Sequence, residues 1–336
     1  MPNAVSFREE LISQIPALQL LIGLGYEYLT PDDALAKRGG KFRNVLLEDV
    51  LVKWLREHNR IRYKGQEVPF SETNIQYALR QLKEEPYDGL VRTNERIYEL
   101  LTLGVSLPQT IAGDTRSFSL NYIDWRSPEN NVYHVSDEFV VQKRRSEQTR
   151  RPDIVVFVNG IPLVVTECKR PDKETSTGEK SVFEAVTQHI RNQKDDEIPH
   201  LFQYSQLLLG VSKNEAMYGT TASSKKYWSA WREENNIEDE VHRLINRPLP
   251  DTDKRALFAH REDSYLIWRY FDDLEKAGER LPTAQDRTLY SLMRPERLLE
   301  LIYQFIVYDA GIKKIARHQQ FFAVKETIAR VAHLDN

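Results

Sequence analysis

The stretch Arg151-Pro-Asp-Ile-Val-Val-Phe-Val-Asn-Gly-Ile-Pro-Leu-Val-Val-Thr-Glu-Cys-Lys-Arg170 decides the fold. Two apolar, β-branched runs, Ile154 to Val158 and Leu163 to Cys168, flank Asn159-Gly160, the dipeptide that best fits a two-residue hairpin turn. The first run begins one residue after Asp153, and the second carries Glu167 and Lys169 at its end. Side chains alternate along a strand, so Glu167 and Lys169 share one face while Cys168 points to the other. The hairpin therefore brings two acids and a lysine to one end of a strand pair.

An acid and a lysine two apart on a strand are most often a solvated pair. Here both runs are too apolar for a solvated sheet face, which predicts a buried sheet with the acids at its rim. Asp153 lies one hairpin away and reaches the same point. Mg²⁺ prefers oxygen ligands and keeps several waters, so the carboxylates of Asp153 and Glu167 are enough to hold it, with the Cys168 carbonyl on the same side. Lys169 beside such an ion can orient a water or offset transition-state charge. The pattern points to metal-dependent hydrolysis of a phosphodiester.

Around this hairpin the chain reads as helix, several strands, helix, strand, which predicts an α/β fold around a mixed sheet. Residues 6–24 predict an amphipathic helix, with Ser6 and Glu9 forming a capping box and Gly23 and Gly25 stopping it. Further helices are predicted from Val45 to Glu57 and from Ser71 to Lys83. From Gly89 the composition turns β-branched and aromatic, predicting strands at Ile97–Leu103, Ser117–Asp124 and Val132–Val141. A helix over 180–193 and strands at Leu207–Ser212 and Ala216–Thr220 follow. Beyond about residue 222 a polar stretch runs through Arg247-Pro-Leu-Pro-Asp-Thr-Asp-Lys254 and marks a boundary. Helices are predicted again over 294–305 and from Ala316 to Val331. The expected division is 1–222, then a linker or helical connector over 223–293, then 294–336.

Bulk properties narrow the function classes. At 336 residues the chain can bury a substantial core, and 40% hydrophobic with 29% charged residues describes an ordinary globular protein. A net charge of −3 excludes a uniformly basic surface, so any grip on DNA must be local. The single cysteine, Cys168, excludes an internal disulfide and a multi-cysteine zinc site. No stretch approaches the ~20 apolar residues of a membrane span, and no secretory signal opens the chain, so a cytoplasmic location is expected.

Pro152-Asp153 followed by Glu167-Cys168-Lys169 resembles the PD-(D/E)xK nuclease signature. The wider string is similar to the N-terminal nuclease domain of the restriction (R) subunit of type I restriction-modification enzymes. The resemblance extends to Leu24-Gly-Tyr-Glu27, Glu184-Ala-Val-Thr-Gln188, Ile198-Pro-His-Leu-Phe-Gln-Tyr204 and Met217-Tyr-Gly-Thr220. It implies a restriction-endonuclease-like core, a Mg²⁺ cofactor, double-stranded DNA as substrate, and methyltransferase and specificity subunits as partners. Asp153 and Glu167 would be metal ligands and Lys169 the catalytic lysine. Glu10 matches an acid that completes the pocket in many such nucleases, although a first-turn acid favoured by the helix dipole reads equally well. Gln188 matches the glutamine of a Gln-x-x-x-Tyr motif, while the tyrosine position holds Asn192.

Lys143, Arg144, Arg145, Arg150 and Arg151 precede the site, and Arg170 and Lys173 follow it, which suits phosphate contacts. By the same resemblance residues 294–336 enter a RecA-like motor domain, and Gln320 would match an adenine-reading glutamine. No Gly-x-x-x-x-Gly-Lys-Ser/Thr occurs, so ATP would act only through motor domains outside this chain. The end of the chain in a helix suggests a fragment. Two other readings stand beside this one: a non-catalytic DNA-binding or docking module that keeps the nuclease fold, and a stand-alone repair nuclease.

Overall fold

The two runs of the quoted stretch are buried along their whole length, nine consecutive residues in the second. A strand with both faces covered needs helices above and below it, and the surrounding elements supply them. The computed structural model describes residues 13–171, 181–233, 236–261 and 264–334. It begins with α1 (Ile15–Gly23), β1 (Glu27–Leu29), α2 (Pro31–Lys37), α3 (Glu48–His58), β2 (Arg60–Tyr63), β3 (Gln66–Pro69), α4 (Glu72–Lys83) and α5 (Leu90–Leu103). Then come β4 (Val105–Ile111), β5 (Asp114–Leu120), β6 (Tyr133–Asp137), β7 (Val141–Gln142), β8 (Thr149–Arg150), β9 (Ile154–Val158), β10 (Ile161–Lys169) and α6 (Ser181–Asn192). Next are α7 (Pro199–Phe202), β11 (Leu207–Ser212), β12 (Glu215–Gly219), α8 (Glu238–Ile245), α9 (Asp251–Ala259) and α10 (Ser264–Ala277). The chain continues through α11 (Ala284–Met293), α12 (Pro295–Phe305), β13 (Ile306–Asp309), β14 (Ile312–Ile315) and α13 (His318–Leu334).

Six strands form one mixed sheet in the order β1-β6-β9-β10-β11-β12. The β1–β6 and β10–β11 pairs are parallel and the others antiparallel. The fold is therefore α/β around a mixed sheet flanked by helices, with a mostly helical C-terminal part. The Asn159-Gly160 turn has positive φ at both positions, 52° and 83°, as the hairpin requires. This turn is buried rather than solvated. Asn159 accepts from Val132 N–H at 2.9 Å and donates to the Tyr122 carbonyl at 3.0 Å, and Gly160 O accepts from Leu47 N–H at 2.9 Å. The tip of the hairpin thus seats against the start of α3.

Helix α6 lies over β10 and β11, and its approach is set by Gly210, the β11 residue in register with Glu167. A Cβ on Gly210 would stand 3.1 Å from the Ala185 Cβ, so a larger residue there would push the helix off the strand. On the other side, α8 and α11 pack on α1. Gln19 donates to the Ile245 carbonyl at 3.1 Å, Tyr26 to that of Met293 at 2.7 Å, and Ser13 to the Gln285 side chain at 2.6 Å. The β13–β14 hairpin is pinned by Lys313, which is buried and donates to Asn94 and Gln206 at 2.7 and 2.5 Å.

Several expectations need correction. Ile97–Leu103 is helical, the second half of α5, because Thr93, Asn94, Ile97 and Leu101 form one buried stripe at helical spacing. The strand expected at Ser117–Asp124 is β5, Asp114–Leu120, and it pairs only with β4, outside the main sheet. The run predicted from Val132 stops at Asp137, since Glu138 takes φ 50° and turns the chain out of the sheet. The helix expected from Val45 begins at Glu48 instead, and its buried Val45 and Leu46 precede it as irregular chain. Helix α2 and the β2–β3 and β13–β14 hairpins were not anticipated. Ser6, Glu9 and Glu10 lie outside the described residues. No described helix is long and apolar enough to cross a membrane.

Replacing Gly160 by Ala should destabilise the fold strongly. Its φ is 83°, and an added Cβ would stand 2.5 Å from the Leu47 carbonyl oxygen. Backbone strain and overpacking together predict a loss of about 2–4 kcal/mol, measurable by urea denaturation. An unchanged midpoint would mean that the buried hairpin tip is not the fixed point described above.

Candidate active site

The register of the hairpin brings the sequence-predicted residues together. Asp153 immediately precedes β9, and its Oδ2 accepts from the Cys168 backbone N–H at 2.7 Å. This bond ties the two strand ends, so Asp153 faces Glu167 across the hairpin. The two carboxyl groups lie within hydrogen-bonding reach of each other. Lys169 Nζ stands 3.9 Å from Asp153 Oδ2 and donates to the Cys168 carbonyl at 2.8 Å. The period-two argument holds: Glu167 and Lys169 share a face, and the Cys168 side chain is fully buried.

Glu167 has no solvent exposure, deeper than the rim position the sequence implied, while Asp153 keeps 18% of its side-chain surface. Burial pushes the Glu167 carboxyl well above the usual carboxylate range, and the adjacent Asp153 pushes it further. Asp153 is raised too, by burial first, with the Lys169 ammonium pulling it back. Burial also raises the Cys168 thiol, so its sulfur stays protonated, and it is the Cys168 backbone that meets Asp153 and Lys169.

Helix α6 supplies the remaining contacts. Gln188 donates to Glu167 Oε2 at 2.5 Å and Asn192, one turn later, to Oε1 at 3.4 Å. Asn192, which departs from the motif's tyrosine, is buried and reaches the same carboxylate as Gln188. Its four-residue spacing from Gln188 was the available signal. From α1's leading edge, Gln14 donates to the Asp153 carbonyl at 3.2 Å and to Glu138 Oε1 at 3.2 Å. Nothing in the sequence marked Gln14, because its role depends on the tertiary approach of this edge. Beside it, Asp137 is fully buried against Arg261, His260 and the Tyr28 hydroxyl.

The basic residues divide. Lys143 and Arg150 are both committed to Glu197, at 3.2 and 2.6 Å, and Arg151 to Glu138 at 2.5 Å. Arg144 lies over the Tyr87 ring at 4.1 Å. Arg145 and Arg170 are exposed. Lys173 lies outside the described residues. Gln320 sits far along the chain, exposed at the start of α13, where its Oε1 accepts from Arg317 N–H at 2.9 Å.

A desolvated carboxyl pair with a main-chain carbonyl and a lysine beside it has the chemistry of a hard-cation site. Two like charges held together out of water are costly, and a divalent ion relieves that cost while accepting oxygen ligands. Asp153, Glu167 and the Cys168 carbonyl are the atoms that could hold it.

Comparison with known proteins shows the family of the chain. Residues 6–227 match the family described as type I restriction enzyme R protein N terminus. The chain is 27% identical to the putative type I restriction enzyme MjaIXP endonuclease subunit of Methanocaldococcus jannaschii, over 98% of this chain and 28% of that protein. It is also 27% identical to the type I restriction enzyme HindI endonuclease subunit of Haemophilus influenzae, over 93% of this chain and 26% of that one. It thus spans about a quarter of the length of these curated relatives. The family match covers the sheet, helix α6 and every residue of the carboxyl cluster, and the chain belongs to the family of type I restriction enzyme R protein N termini.

Proposed function

We propose that this chain is a Mg²⁺-dependent endonuclease unit that cleaves double-stranded DNA, as the nuclease part of an ATP-dependent type I restriction R subunit. The observation that carries the reading is the contact between the carboxyl groups of Asp153 and Glu167 at the hairpin end, with Lys169 beside them. Membership of the R-subunit family supports it. On this reading the six-stranded sheet with α6 over β10 and β11 is a restriction-endonuclease-like core. Residues 1–222 form the nuclease unit, 223–293 connect, and 294–336 lead into a motor domain. Gln320 would then serve a nucleotide site that the motor completes. Methyltransferase and specificity subunits would be the partners.

Asp153 and Glu167 would hold the ion. When bound, Mg²⁺ polarises a phosphoryl oxygen and lowers the pKa of a coordinated water. The protein's own groups do the rest. Gln188 orients the Glu167 carboxylate, and the Cys168 amide orients Asp153. The Lys169 ammonium, held near Asp153, offsets negative charge as it grows on the phosphate. Arg145 and Arg170 are exposed and can take backbone phosphates directly. Lys143 and Arg150 would have to leave or share Glu197 to do so.

Nicking of supercoiled plasmid in Mn²⁺ or Mg²⁺ tests the chemistry. Asp153→Ala and Lys169→Ala should each lower the rate by about two orders of magnitude or more, with unchanged circular dichroism. The same variants introduced into the complete R subunit should behave alike. Cleavage that survives Lys169→Ala would remove the lysine from the mechanism.

A second outcome follows from burial. In chelator at neutral pH, Glu167→Gln should raise unfolding stability by about 1–2 kcal/mol, because a desolvated acid beside another acid is replaced by a neutral amide of the same shape. The native chain should gain stability on adding Mn²⁺ and the variant should not, as read by thermal melts. A variant less stable than the native chain in chelator would show that the acid pair is not strained.

A further inference from the structure

We propose that Asn192, held in one amide orientation by Arg191, is a positioning residue that fixes the plane of the Glu167 carboxylate. The proposal rests on the reading of Glu167 as a metal ligand. Arg191 Nε and Nη2 both approach Asn192 Oδ1, at 3.2 and 3.1 Å. A guanidinium only donates, so the Asn192 atom it grips must be the carbonyl oxygen. The NH₂ group is thereby turned toward Glu167 Oε1, 3.4 Å away. An amide whose two ends are otherwise interchangeable is given a direction by its neighbour.

The geometry explains why two donors are needed. Gln188 and Asn192 stand one helical turn apart and take one Glu167 oxygen each, Oε2 and Oε1. A single donor leaves the carboxylate free to swing about its last torsion. Two donors on one rigid helix fix it and leave a lone pair on each oxygen for an ion. Both are neutral amides, so they orient the carboxylate without supplying the positive charge that an ion would bring. Arg191, the cation that grips Asn192, is exposed and reaches Glu167 both by its charge and through the Asn192 amide.

The supporting helix is itself well held. His189 is buried with Nε2 against the Leu209 carbonyl at 2.9 Å, and Gln193 accepts from the Ala222 N–H at 2.7 Å. The Asn192 carbonyl accepts from Ile198 N–H at 3.1 Å, which fixes the end of α6. Asn192 is therefore placed by the backbone and aimed by Arg191, and its remaining donor has Glu167 as its partner.

Mn²⁺ titration of the complete chain without DNA, followed by the electron paramagnetic resonance of free ion, tests the proposal apart from cleavage. Asn192→Ala should weaken binding roughly tenfold, the size usual for a lost outer-shell partner. Arg191→Lys keeps the charge and removes the two-nitrogen grip, and should weaken binding a few-fold without touching a buried position. Asp153→Ala should abolish binding and serves as the control. If the native chain binds Mn²⁺ and Asp153→Ala abolishes it, while Asn192→Ala and Arg191→Lys bind normally, the positioning role is wrong and the metal site stands. If the native chain binds no Mn²⁺, or Asp153→Ala binds it unchanged, the metal reading fails and this proposal with it. An Arg191→Lys chain that binds weakly with an unaltered melting temperature would exclude a merely structural role.

Discussion

Glu167 has no exposed surface and shares its space with a second carboxyl group. Water, which would ordinarily solvate such a group, is replaced by a lysine, two side-chain amides and a backbone N–H distributed over both acids. None of these neutralises Glu167 outright. Both acids are held above the usual carboxylate range, and a protein keeps such an arrangement only where the surrounding structure is strong enough to impose it. Much of the architecture can be understood as the means of that imposition.

Three devices cooperate. The Asn159-Gly160 turn, buried against α3, locks the register of β9 and β10 and so decides that Asp153 meets the backbone of Cys168. Gly210 lets α6 settle close to β11 beside Glu167, which brings Gln188 to 2.5 Å from the carboxylate. On the opposite side Gln14 holds the Asp153 carbonyl, and the C-terminal helices α8 and α11 hold α1. The helical C-terminal part thus touches the site's support through α1. The adjoining Asp137 cluster adds Arg261, just beyond α9, to the same end of the sheet.

The hairpin and its acids were legible because they depend on local rules: an Asn-Gly turn, β-branched runs and period-two alternation. Helices α4 and α6 were legible for the same reason, and the structure adds that Ser71 caps α4. Ile97–Leu103 misled because its residue types favour strands, while its buried positions follow a helical period that includes Thr93 and Asn94, polar residues that hide the stripe. The state of the basic run was not legible at all. Glu197, 47 residues from Arg150, neutralises part of it, and no local pattern announces a partner at that distance. Gln14 stayed hidden likewise, since a polar residue gains meaning only when the fold shows what it faces.

The chemistry of the chain turns on whether the acid pair is a cation site. Crystals of the chain grown with Mn²⁺ and measured at the manganese absorption edge would settle it. An anomalous difference peak bounded by carboxylate oxygens of Asp153 and Glu167, with Asn192 and Gln188 still on Glu167, is the predicted result. A fully occupied ion elsewhere, with no density between the carboxyl groups of Asp153 and Glu167, would contradict it.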